Sequence, residues 1–138
     1  MKKMVSILLT IVLSLGLLGS VAFAVNPAYA FNLPNTGQTY IPDTGSGNYK
    51  QYLDRGWTLY VTSINIVAGS AGMSFVPCRY VSSTYYVSGT AHWRKVTGKT
   101  TGTYDGHTTH NETYYLAARI DDRYVGPFSA AGTWNADT

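Results

Sequence analysis

The chain has 138 residues, with ten Lys/Arg against seven Asp/Glu, a single Cys, and 14% aromatic side chains against 12% charged ones. One Cys excludes an intramolecular disulfide framework, and basic residues scattered singly exclude the clustered patch that phosphate neutralisation requires, so nucleic acid is not an expected partner. Lys2 and Lys3 supply two units of the formal +3 charge, which leaves eight basic and seven acidic residues from position 31 onward and a net charge there of only +1.

Lys2 and Lys3 precede an almost unbroken apolar run from Val5 to Leu18, and small residues follow at Ala22-Phe23-Ala24 and again at Ala28-Tyr29-Ala30. A basic start, an apolar run too short for a stable membrane span and two small-x-small sites describe a cleaved secretory signal peptide. The expected cut follows Ala30, with Ala24 as the alternative. No Cys follows either site, so lipid attachment is not expected, and the composition reads as that of a secreted bacterial protein with no membrane span once processed.

The next residues, 31–54, read as a flexible leader of turns carrying "PDTGSGN" and few aliphatics. Within it Leu33-Pro34-Asn35-Thr36-Gly37 resembles the pentapeptide by which sortases attach proteins to Gram-positive walls. Sortase substrates carry that signal near the C-terminus, before an apolar tail, whereas this chain ends "AAGTWNADT". A Pro/Asn/Gly turn is therefore the expected reading.

From residue 55 to 138 the pattern is that of a single all-β domain, a small antiparallel β-sandwich or open barrel of five to six strands. "WTLYVTSINIV", residues 57–67, sets Trp57, Leu59 and Val61 on one face, then Ile64 and Ile66 on the opposite parity, which predicts a bulge or a crossing between layers near Thr62-Ser63. "MSFVPCRYV", residues 73–81, sets Val76, Cys78 and Tyr80 on one side, and Pro77 suggests an edge strand or bulge. "YYVSGTAHWRKV", residues 85–96, reads as one strand with Tyr85, Val87, Ala91 and Trp93 facing the core and Tyr86, His92 and Arg94 facing water. After a polar stretch, "TYYLAARI" at 113–120 points Tyr114, Leu116, Ala118 and Ile120 inward. Asp121-Asp122 then reads as a tight turn into "RYVGPFSAAGTW" at 123–134, making a hairpin whose Tyr124, Phe128, Ala130 and Trp134 share the core.

Sites for chemistry are sparse. His107, His110 and Glu112 in "GHTTHNE" have the residue types of a metal site, but parity places His107 opposite the other two and the surrounding Thr/Gly loop offers no fixed second shell, so no metal is expected. His92 has no Ser or Cys in a nucleophile context, and Cys78 within an alternating apolar strand reads as packing. The match Asn111-Glu112-Thr113 to a glycosylation acceptor reads as chance in a bacterial chain. No catalytic residues and no cofactor are expected.

Eleven Tyr and three Trp follow residue 30, more rings than one modest core needs. Tyr60, Tyr86 and Tyr115 are expected to lie partly exposed, with His92 beside them, as flat amphipathic contacts for a protein or cell-envelope component. Cross-strand Tyr/Thr pairs that only stabilise a wet sheet face are the competing explanation.

The succession "GWTLYV", "YYVSGTAHW" and "TYYLAARIDDRYVGPFSAAGTWNADT" behind a signal peptide resembles a family of small exported Gram-positive proteins of uncharacterised function, with Ala131-Gly132-Thr133-Trp134-Asn135 in place of its Ser-Gly-Tyr-Trp-Asp-like close. The chain departs from that family at Asp121-Asp122-Arg123 and in its single Cys, and the family supplies no catalytic residues. Tyr-rich, Gly-broken strands also resemble lactococcin-972-type bacteriocins. The signal peptide, near-neutral charge and surplus rings point to a non-catalytic extracellular binding domain, whereas the second resemblance implies a secreted antibacterial protein acting on the envelope of competing cells.

Overall fold

The computed structural model describes residues 26–33, 39–106, 108–121, 123–124 and 126–138. The signal-peptide core, Ala24, Pro34 to Gly37 of the sortase-like pentapeptide, His107 and Asp122 lie outside the described residues. Ten strands follow one another: β1 (Ala28–Leu33), β2 (Ile41–Pro42), β3 (Asn48–Lys50), β4 (Trp57–Asn65), β5 (Met73–Val81), β6 (Thr84–Val87), β7 (His92–Arg94), β8 (Gly98–Gly102), β9 (Glu112–Ile120) and β10 (Phe128–Asn135). The first sheet runs β1-β10-β4-β8. In the second, β9 pairs with β2 and β3 on one side and β5 on the other, and β5 pairs with β6 and β7. Every pairing is antiparallel.

The core fills the space between the two sheets. Alternation sends Tyr29, Phe31 and Leu33 of β1, Trp57, Leu59 and Val61 of β4, and Phe128, Ala130 and Trp134 of β10 inward from the first sheet. Met73 and Phe75 of β5 meet them from the second sheet, with Tyr114, Leu116, Ala118 and Ile120 of β9. Ring packing is close, with Tyr29 and Phe31 centroids 5.9 and 6.0 Å from Phe75. The bulge expected in the first long strand is present: Val61 pairs with Gly132 and Ser63 with Ala131, so Thr62 is the extra residue, and its Oγ1 donates to the Ala131 carbonyl.

The all-β, two-sheet architecture matches the expectation, but several elements differ from their sequence reading. Residues 31–54, expected as a leader, carry the end of β1 and all of β2 and β3. Ordered structure therefore starts well before Trp57. The connection is fastened by Ser46, whose hydroxyl accepts from the Leu116 N–H while its carbonyl accepts from the Trp134 indole N–H. A run rich in Gly, Pro and Asn can be ordered by hydrogen bonds to distant strands, which no local pattern reveals.

β9 and β10 do not form a hairpin, because they belong to different sheets and the chain between them crosses the core edge. Asp121 is buried there and accepts from the Ala71 N–H and from the Arg123 side chain, ending β9 by tying it to another loop. Residues 85–96 split into β6 and β7, and the polar stretch after them supplies β8.

Pro77 lies in a central strand, not at an edge. Its carbonyl accepts from the Ser88 N–H on the side of β6 and β7, so its ring nitrogen points into the gap between those two short strands. The missing N–H thus falls where no partner strand needs it.

Candidate functional site

Odd parity along β9 and even parity along β5 turn side chains away from the main core, onto the outer face of the second sheet. Val76, Cys78 and Ala117 lie there, yet all three are buried. Among the described residues no second sheet covers them. Aromatic rings do: Tyr40, Tyr85 and Tyr115 pack over this small cluster. The Tyr85 and Tyr115 rings meet edge to face at 6.0 Å, and Tyr80 lies against Tyr85 with centroids 3.7 Å apart.

At the other end of the same face the guanidinium of Arg119 lies 5.0 Å from the Tyr40 ring and 5.4 Å from the Trp93 ring. Cation–π attraction holds these three together, and the Tyr40 hydroxyl is hydrogen-bonded to Ser74 Oγ at 2.8 Å. From Ser74 to Tyr80 the strand advances about 20 Å. The outer face is therefore an aromatic strip of that length, with Tyr80 and Trp93 as its most exposed rings at 49% and 41%.

The chemistry of the strip is mild. Burial pushes the Cys78 thiol up to about 12, so it is neither a thiolate nucleophile nor an accessible bridge partner. Tyr85 is also pushed up to about 12, first by burial and then by its hydrogen bond with Tyr80. Two carboxylates elsewhere, Glu112 and Asp121, are committed to structure. Glu112 is held below the usual carboxylate range by hydrogen bonds from Thr109 and then Arg79, whose guanidinium is 3.0 Å away. Asp121 is held low by Arg123 and by the Ala71 amide.

The four residues expected to form a docking face do not converge. Tyr115 is on the strip, half-buried. Tyr86 is exposed but opposes Arg79, on the other side of the sheet from Tyr85. Tyr60 is on β4 in the first sheet, its ring 5.6 Å from Lys99 Nζ. His92 pairs with the inward-facing Phe75 and packs edge-on against Trp57 at 5.3 Å, so it does not stand on a wet face. Conversely Tyr85, Val87 and Trp93, expected inward, lie outward, with Val87 and Trp93 exposed. Tyr40, Tyr80, Trp93 and Arg119 were absent from the expected site. The doubled Tyr85-Tyr86 was the available signal, since one of two adjacent strand residues must face outward.

Of the three residues with metal-ligand chemistry, His107 is outside the described residues, His110 is exposed and Glu112 is engaged by Arg79. No group of three or more metal-ligating side chains occurs among the described residues. Among the same residues no helix is long and apolar enough to cross a membrane. Compared with protein-family models, curated proteins and solved structures, the chain matches none.

Proposed function

We propose that the protein is an exported, non-catalytic binding domain that docks through the outer face of its second sheet onto a glycan of the cell envelope. The observation that carries this reading is the aromatic strip of Tyr80, Tyr85, Tyr115, Tyr40 and Trp93. Tyr40, Tyr85 and Tyr115 already cover Val76, Cys78 and Ala117, so the exposed rings of Tyr80 and Trp93 are surplus to that small cluster. Flat rings with polar tips suit the apolar faces and hydroxyl edges of sugar rings. A strip about 20 Å long, lined by rings along one strand direction, suits an extended polymer better than a small molecule. Export rests on the signal-peptide pattern of residues 1–30, and the commitment of Glu112, Asp121 and Asp137 to ion pairs supports a non-catalytic role.

The test is co-sedimentation of the purified protein with insoluble cell-wall polysaccharide, beside a Tyr80→Ser/Trp93→Ser variant. Both rings are exposed, so the variant should fold. Binding by the parent and at least a tenfold loss in the variant is the expected result. Equal binding by the two, or none by the parent, overturns the assignment. Clearing of a Gram-positive lawn by the parent would instead favour antibacterial action on the envelope.

A further inference from the structure

Two small-x-small sites, Ala22-Phe23-Ala24 and Ala28-Tyr29-Ala30, follow the apolar run six residues apart. By residue type a signal peptidase has no reason to prefer the second. What separates them is the protein each leaves behind. We infer that processing cuts between Ala24 and Val25, so that the exported chain keeps β1 whole, and that Ala28-Tyr29-Ala30 is a piece of the first sheet and not a cleavage site. This inference rests on export.

The residues that a cut after Ala30 would remove are built into the first sheet. Ala28, Tyr29 and Ala30 pair with Thr133, Gly132 and Ala131 of β10, and the Pro27 carbonyl accepts from the Trp134 N–H at 3.2 Å. Tyr29 is 3% exposed, its ring 5.7 Å from Phe31 and 5.9 Å from Phe75, and its hydroxyl donates to the Tyr60 carbonyl. The far strand is shaped to receive it: a Cβ on Gly132 would come within 2.9 Å of the Tyr29 hydroxyl. The Ala30 N–H, which the later cut would strip of its strand, donates to Asp43 Oδ2 at 3.1 Å. Of the three residues only Tyr29 enters the core, while Ala28 and Ala30 are exposed and belong to β1 through their pairing with β10.

A cut after Ala30 would leave a void between Phe31, Phe75 and β4 and place a charged amino terminus in mid-strand. A cut after Ala24 leaves Val25, Asn26 and Pro27 ahead of an intact β1.

The full chain, expressed in a secreting Gram-positive host, is to be recovered from the medium and its N-terminus sequenced. Val25 as the first residue is the expected result, and Phe31 overturns the inference. An Ala30→Tyr variant should be secreted with the same N-terminus and in similar yield, because Ala30 is exposed on a strand; loss of processing in it also overturns the inference. Chains starting at Val25 and at Phe31, both made without a signal peptide, separate the two premises. The Phe31 chain should be digested by a nonspecific protease at least tenfold faster, and equal rates remove the structural reason for the earlier cut. Uncleaved protein retained in the cells overturns export itself, whatever the digestion rates.

Discussion

Lys50 ends β3 with its side chain fully buried, its Nζ donating to the Arg55 carbonyl at 2.8 Å and to Asp137 Oδ1 at 3.2 Å, with the Tyr104 ring 4.2 Å away. The ammonium has no water to turn to. Asp137, 12% exposed, also accepts from the Gln51 and Tyr52 amides, so the pair clamps the C-terminus to the end of β3. The two partners are therefore unequal. Asp137→Ala strands a buried cation, a change that costs about 3–5 kcal/mol in general, and the lower end applies because the carboxylate side of the pair is near solvent. Lys50→Met keeps the stem volume and leaves Asp137 with two backbone donors, so about 1 kcal/mol is expected. Urea unfolding at neutral pH, with m-values compared to confirm two-state behaviour, measures both variants and the double variant. At roughly 4 °C per kcal/mol, Asp137→Ala should also melt about 12 °C lower. In the Lys50→Met background Asp137→Ala should cost little, a coupling of about 2 kcal/mol. A cost for Asp137→Ala no greater than that for Lys50→Met would refute the reasoning.

Gly132→Ala should destabilise by about 3 kcal/mol, because its Cβ would collide with the Tyr60 carbonyl oxygen in the paired strand and backbone cannot swing aside; a variant within 1 kcal/mol of the parent by urea unfolding would show that the bulge relaxes. Cys78, buried with its thiol raised to about 12, should react with a thiol reagent at neutral pH only in denaturant, and a non-reducing gel should show no dimer; rapid labelling of the folded protein would contradict this. Asp121 has its pKa lowered by Arg123 and the Ala71 amide, so its contribution to stability is complete above the unfolded value near 3.8 and is lost as pH falls through that value toward the folded one. Melting temperature should accordingly drop on acidification below about pH 5, and Asp121→Asn should melt lower at neutral pH with a shallower acid slope; an unchanged slope would dismiss Asp121 as a source of acid sensitivity.

Period-two alternation, with Gly, Ser and Asp between the runs, was enough to call the chain all-β and to place the inward faces of β9 and β10. The switch of parity after Val61 was enough to find the bulge at Thr62. These are local properties, written in the spacing of side chains along one strand. Alternation defines two faces but does not say which will be covered, and there the expectations failed. Tyr86 is exposed as expected, but Val87 and Trp93 were taken as core and are exposed, and His92 was taken as wet and packs on Trp57, a residue 35 positions away in sequence. The aromatic strip was hidden for the same reason, since Tyr40, Arg119 and Trp93 come from three separate segments and meet only because β9 and β7 both pair with β5.

Composition and periodicity thus determined the class of the fold and the surplus of rings. Tertiary structure alone decided that β9 and β10 sit in different sheets, that Ala28 to Leu33 is a core strand, and which aromatic rings face outward. The physical reason is that burial belongs to a pair of surfaces, and the second surface is supplied by residues too far along the chain for any local pattern to register.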